Sequence, residues 1–246
     1  MPSYRLLLEY DGTDFAGWQV QADGHRTVQG CLEAALERVT GESRRITAAG
    51  RTDAGVHAAG QVASLTLDRE IDANGLQRAL NGVLPIDLVV LEVAPAAPGF
   101  DARRDARSKL YVYRIWNARC RSPLHGRSHH WVPQALDPEA MATAARHCVG
   151  RHDFASFQTA GSSVQTTVRT LAALDVMGQS RGEIRIEVVG DGFLRHMVRN
   201  LAGTLIEVGR GRRSPDSLPA LLAARDRRQA GPTAPPQALT LLRVCY

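Results

Sequence analysis

Val28, Cys31, Leu32, Ala35, Leu36 and Val39 recur at i, i+3, i+4, i+7, i+8 and i+11, the spacing of one helix face. They stand between two stretches that alternate with period two, Tyr4–Tyr10 and Gln61–Leu67, which read as strands. Thr27 is placed to cap the start of that helix and Gly41 to end it. A shorter helix near Asp72–Asn81 and a strand near Leu88–Val93 complete a first half. Pro95-Ala96-Ala97-Pro98-Gly99 then marks a boundary, being apolar yet unsuited to a helix or a central strand.

The second half opens on a strand pattern, Leu110–Trp116. Asp137-Pro138-Glu139 starts a helix, with a capping side chain at Asp137 and proline at the first helical position, and Gly150 is expected to end it. Strands follow at Val168–Val176 and Ile184–Val189. Leu194, Met197, Val198, Leu201, Leu205 and Val208 then share one face of a further helix. After Gly231-Pro232-Thr233-Ala234-Pro235-Pro236 a last strand runs from Leu239 to Tyr246. Strands joined by short turns as well as by helices indicate an α+β fold rather than a doubly wound parallel sheet. The division falls into two similar halves, residues 1–104 and 105–246, each a sheet with two helices.

Composition removes whole classes of function. With 44% hydrophobic and 22% charged residues, the chain is neither disordered nor collagen-like. No apolar run approaches the ~20 residues of a membrane-spanning helix, so no membrane role is expected. Met1-Pro2-Ser3-Tyr4-Arg5 leads straight into a strand pattern without the features of a secretory signal. Cys31, Cys120, Cys148 and Cys245 are scattered without a CxxC, which fits neither a disulfide scaffold nor a zinc ribbon. The cytoplasm is the expected compartment. Net charge is +5, and among 30 basic residues Lys109 is the one lysine. From Arg103 to Arg127 there are eight basic residues against one acid, Asp105, and Arg210, Arg212 and Arg213 form a second cluster. Such an excess of arginine also arises from genomic base composition. Clustered in loops, however, guanidinium groups suit the paired oxygens of phosphates and favour a polyanionic partner.

The chain has no GxxxxGK[ST], no GxGxxG at a strand–helix junction, no HExxH and no GxSxG. His125, His129 and His130 share a loop without nearby carboxylates or cysteines and read as solvated or RNA-facing, not as a metal site. Gly50-Arg51-Thr52-Asp53-Ala54-Gly55-Val56-His57-Ala58-Ala59-Gly60 is different: it places an arginine, an aspartate and a histidine among three glycines, between a strand ending near Ala49 and one starting at Gln61. Glycines admit unusual backbone angles and close approach of another molecule, and loops of this kind commonly carry function. The same spacing also fits a tight turn in which Asp53 caps its own backbone and Arg51 is a surface charge.

This loop closely resembles the active-site signature of the TruA family of tRNA pseudouridine synthases. Four other segments resemble that family in the same order: Tyr10-Asp11-Gly12-Thr13-Asp14-Phe15-Ala16-Gly17-Trp18-Gln19, Lys109-Leu110-Tyr111-Val112-Tyr113, Phe193-Leu194-Arg195-His196-Met197-Val198-Arg199-Asn200 with Gly203-Thr204-Leu205, and Ala230–Pro236. The resemblance implies a fold of two similar α+β halves with the active cleft between them, acting as a homodimer on tRNA. It implies conversion of uridine to pseudouridine at positions 38, 39 and 40 of the anticodon arm, without cofactor or metal. Asp53 becomes the catalytic aspartate, attacking C1′ or removing a C2′ proton. Arg199 becomes its charge partner, favouring the ionised carboxylate. Tyr111 meets the displaced uracil, whereas Tyr113 on the same strand face packs in the core. Arg51 flips the base or grips its phosphate, and His57 serves a structural hydrogen bond or the chemistry. The basic segments track the RNA backbone. Two departures stand out: Phe100-Asp101-Ala102-Arg103 replaces an F-H-A-R pattern, and Arg195 stands where tyrosine or histidine is common. Two rival readings remain, an RNA-binding protein without catalysis and a nucleoside or glycoside hydrolase. The complete Asp53 loop argues against the first, the lack of a second motif carboxylate against the other.

Overall fold

In the computed structural model, which describes residues 1–159, 161 and 164–246, the chain forms two compact units. One comprises Met1–Arg107 with Leu241–Tyr246, the other Ser108–Thr240.

The first unit grows from strand β1 (Ser3–Tyr10), in which Tyr4, Leu6, Leu8 and Tyr10 are buried on one face. Helix α1 (Val28–Thr40) is capped as expected: the Thr27 hydroxyl accepts from the Gly30 amide at 3.2 Å, and Gly41 ends the helix with φ 77°. A glycine is favoured there because L side chains resist that left-handed conformation. Strand β2 (Thr47–Ala48) pairs with β3 (His57–Thr66), and helix α2 (Ala73–Asn81) follows, capped by the Asp72 carboxylate on the Gly75 amide. Strand β4 (Leu88–Ala96) then pairs with β1, which also pairs with β3, antiparallel in both cases. Burying a leucine such as Leu6, Leu32 or Leu80 fully is worth about 1.5–3 kcal/mol. Behind the sheet, Ala49, Val62 and Ala102 make a smaller core with Leu7, Phe100, Val244 and Tyr246, and the Tyr246 hydroxyl donates to the Ala102 carbonyl at 2.8 Å.

β4 includes Pro95 and Ala96, which the sequence reading assigned to the boundary. The strand tolerates a proline because, among the described residues, β1 is its one neighbour, so the missing N–H is not needed on the outer side.

The second unit is a mixed sheet. Strands β5 (Ser108–Asn117), β9 (Glu183–Gly190), β8 (Val168–Gly178) and β7 (Gly150–Asp153) run antiparallel in that order, and β6 (His130–Val132) pairs with β5 in parallel. Helix α3 (Pro138–Arg146) has the expected Asp137 cap but stops before Gly150, which instead opens β7 with φ 104°. Helix α4 (Met197–Gly209) begins three residues after Leu194, because His196 turns into the left-handed region (φ 61°) just before it. A third helix, α5 (Leu218–Ala224), was not anticipated. Strand β10 (Leu239–Cys245) ends the chain, and in the first unit it runs beside β3, where Gly60 is pressed against the Leu242 carbonyl. Among the described residues no helix is long and apolar enough to cross a membrane. The α+β class holds, with antiparallel and mixed pairing as expected.

Candidate active site

The Asp53 loop is shaped by its own backbone and by the turn that follows β1. The Ala49 amide donates to the Val62 carbonyl at 2.8 Å, and the chain then leaves the sheet at Gly50. The Val56 amide closes back on the Asp53 carbonyl at 3.1 Å, with Gly55 at φ 78°. From His57 onward the motif is strand, four residues earlier than the sequence suggested, because β1 offers a partner there: Ala58 stands opposite Tyr10.

A brace packs against this loop. The Trp18 amide donates to the Thr52 carbonyl at 3.0 Å, and the Gly55 amide donates to the Phe15 carbonyl at 3.3 Å. Gly17, at φ 99°, lies so close that a Cβ would come within 2.9 Å of the Thr52 carbonyl oxygen. The brace is itself anchored. Arg26 holds Asp87 through two hydrogen bonds of 2.8 and 2.6 Å, and its guanidinium lies 4.1 Å over the Phe15 ring. That fork draws the Asp87 carboxyl below the usual carboxylate range. An exposed ion pair alone contributes little, but fork geometry with a cation over an aromatic face adds direction. Asp11 accepts from the Thr13 amide at 3.0 Å and from its hydroxyl at 2.6 Å, closing the single 3-10 turn Gly12–Asp14.

Within the loop, exposure alternates. Arg51 is exposed, Thr52 buried and Asp53 half-buried. His57 is only 12% exposed, and its Nδ1 lies 3.0 Å from the Gly12 amide nitrogen and 3.1 Å from the Asp11 carboxylate. His57 thus ties β3 to the brace.

The second unit supplies the other candidates. Tyr111, on β5, is 7% exposed, and its ring meets Phe193 edge-on at 5.1 Å and 81°. Phe193 sat in a recognised motif without a role; here it fixes the tyrosine ring. Tyr113 is fully buried, with its hydroxyl donated to the Pro235 carbonyl at 3.1 Å, and burial drives its phenol far above the ordinary range. Arg199 lies in the first turn of α4, half-buried. Its Nε donates to the Ala234 carbonyl at 2.7 Å, and the Ala234 amide donates back to the Arg199 carbonyl at 3.1 Å. Next to it, buried Asn200 donates to the Phe157 carbonyl at 2.7 Å and accepts from Thr233 at 2.7 Å and Arg227 at 3.0 Å. Arg227 carried no sequence signal, yet it also holds the Ala230 and Gly231 carbonyls.

The three histidines are more enclosed than expected. His125 stacks on Trp116 at 4.5 Å and on His129 at 4.4 Å, while His129 is 8% exposed and bonded to Ser128. Burial, with Arg210 beside it, lowers the His130 imidazole to about 4. Among the described residues, no three His, Cys, Asp or Glu side chains converge as metal ligands would.

The first unit thus carries a sheet-bound aspartate loop braced by a glycine-bearing turn, and the second carries a ring-fixed tyrosine and a helix-borne arginine. The family model for tRNA pseudouridine synthase matches residues 7–104 and 144–246, and the chain belongs to that family. The tRNA pseudouridine synthase A of Myxococcus xanthus is 48% identical over all of this chain and 92% of its own length. The enzymes of that name from Moorella thermoacetica (48% identical) and Pelobacter propionicus (47% identical) are matched along the whole of both chains.

Proposed function

We propose that this protein isomerises uridine to pseudouridine at positions 38, 39 and 40 in the anticodon stem and loop of tRNA, with Asp53 as the catalytic residue. The observation that carries the reading is the half-buried Asp53 on a loop held from both sides, in a chain of the tRNA pseudouridine synthase family. The reaction breaks the bond between C1′ and N1, turns the uracil and rejoins it through C5. Nothing is oxidised and no group is imported, so the chemistry calls for no cofactor. A carboxylate serves either as nucleophile at C1′ or as base at C2′. Exposed Arg51 suits a role in displacing the target base or holding its phosphate. Tyr111 offers a ring fixed by Phe193 to a uracil taken out of its stack. Arg199, steered by its bond to Ala234, provides positive charge for the carboxylate. The protein works in the cytoplasm as a homodimer, each tRNA spanning both subunits.

The test is release of tritium from tRNA labelled at C5 of uridine, with no cofactor added. Wild type releases it. Asp53→Asn, which keeps the shape and removes the charge, releases none while binding tRNA within about threefold of wild type, a difference of under 1 kcal/mol. Undiminished release by Asp53→Asn, or tight binding by wild type without release, overturns the assignment.

A further inference from the structure

Beneath the Asp53 loop lies a buried set of linked polar side chains that the reaction itself does not use, in which the Gln61 Oε1 has no hydrogen-bond partner among the described residues. Tyr10 is 3% exposed and Gln61 is fully buried, both within the sheet. The Gly50 carbonyl can only accept, so the Gln61 amide nitrogen must face it, at 2.7 Å. The same nitrogen donates to the Tyr10 oxygen at 3.4 Å, and the Tyr10 and Thr52 hydroxyls share a hydrogen bond of 2.8 Å. Phe15 and Trp18, each with its ring centre 6.4 Å from that of Tyr10, hold the phenol in place. The Thr52 carbonyl is fixed separately by the Trp18 amide. The loop is thus clamped at Gly50 and at Thr52, on either side of exposed Arg51 and immediately before Asp53.

We propose that Tyr10, Thr52 and Gln61 are positioning residues for Asp53: their hydrogen-bond chain sets the direction in which its carboxylate leaves the loop. This rests on the reading of Asp53 as the catalytic group. Every member is buried, so losing one partner leaves another polar group unsatisfied and the loop free to shift. Small displacements of a reacting group cost rate disproportionately. Burial also raises the Tyr10 phenol to about 12, so its proton stays in the chain across the working pH range.

The experiment compares Tyr10→Phe, Thr52→Val, Thr52→Ser and the Tyr10→Phe/Thr52→Val double variant in the tritium-release assay, with tRNA affinity and melting measured alongside. Removing one ordinary hydrogen bond from the reacting geometry lowers kcat about tenfold in Tyr10→Phe and in Thr52→Val, with KM and tRNA Kd within about twofold. Thr52→Ser, which keeps the hydroxyl, recovers most of kcat. The double variant is no slower than the slower single one, since both remove the same link. Wild-type kcat in both single variants overturns the proposal, as do losses that multiply in the double variant or appear only in tRNA affinity. If Tyr10→Phe does not fold, the Thr52→Val and Thr52→Ser pair decides. Wild type and Asp53→Asn run in the same assay: an inactive wild type or an active Asp53→Asn sinks the functional reading, and this inference with it.

Discussion

His130 opens β6 with its imidazole edge-on to Tyr113 at 6.2 Å, and among the described residues its Nδ1 has no hydrogen-bond partner. Burial first, and the nearby Arg210 charge second, lower it from 6.5 to about 4. Between those values the unfolded chain takes up a proton that the folded chain refuses. Protonation therefore favours unfolding, and stability is lost as pH falls from 6.5 toward 4. One proton corresponds to at most about 1.4 kcal/mol per pH unit. Urea titrations at pH 7, 6 and 5 should show His130→Gln with a shallower acid decline than wild type by up to that slope; parallel declines would contradict the assignment. His129, lowered by burial and by neighbouring His125, keeps a residual decline in the variant. Residue-scale facts of this kind are hard to read in a sequence. Asp53, Arg51, Tyr111 and Arg199 could be singled out as candidates because each sits in a dense local motif. The Tyr10–Thr52–Gln61 chain was not, since its partners lie 42 and 51 positions apart. The histidine loop looked solvated because nothing local announces Trp116 as its stacking partner.

Elements were legible where their causes are local. Thr27, Gly41, Asp72 and Asp137 cap their helices from within four residues, so short-range chemistry marks those ends. The start of α4 was misread because Leu194 is buried like a helix residue but belongs to the turn before His196. β6, β7 and α5, of three, four and seven residues, are too short to show a period. The pairing of α4 with the Ala230–Pro236 loop is a tertiary fact, and it carries a prediction. Gly203 lies directly under the Pro232 carbonyl, and the Thr204 hydroxyl accepts the Gly231 amide at 2.9 Å. Gly203→Ala must lift the loop, at a cost of about 1–3 kcal/mol. Thr204→Val leaves the Gly231 N–H buried and unsatisfied, a loss of about 1–3 kcal/mol. Because Arg199 is bonded to Ala234 in that loop, lifting it also displaces Arg199, so Gly203→Ala should lose activity as well as denaturation midpoint. A variant with wild-type stability and turnover would show that α4 and the loop do not depend on this contact.

For the whole molecule, net charge alone overstates what is available to RNA. Several arginines are already engaged: Arg104 with Asp105 and the Gly99 carbonyl, Arg114 with Thr240, and Arg213 with Glu207 and the Gln229 carbonyl. Arg103, Arg107, Arg119, Arg121 and Arg212 are exposed, and among the described residues their side chains form no hydrogen bond or ion pair. These unspent charges, present in both units, are the ones suited to phosphate oxygens. If all five neutralise a phosphate, the logarithm of the tRNA association constant should fall against the logarithm of salt concentration with a slope of about −4. Replacing Arg119 or Arg212 by alanine should reduce that slope by about one and weaken binding alike for different tRNAs, because such contacts position RNA without reading its bases. Arg104→Ala and Arg213→Ala should leave the slope unchanged, their guanidinium groups being committed within the protein. Filter binding or fluorescence titration over a tenfold range of potassium chloride measures all five proteins. A flat response in wild type would remove the arginine segments from the interface, whereas equal slope losses for Arg119 and Arg104 would mean that the internal partners release their arginines when RNA binds.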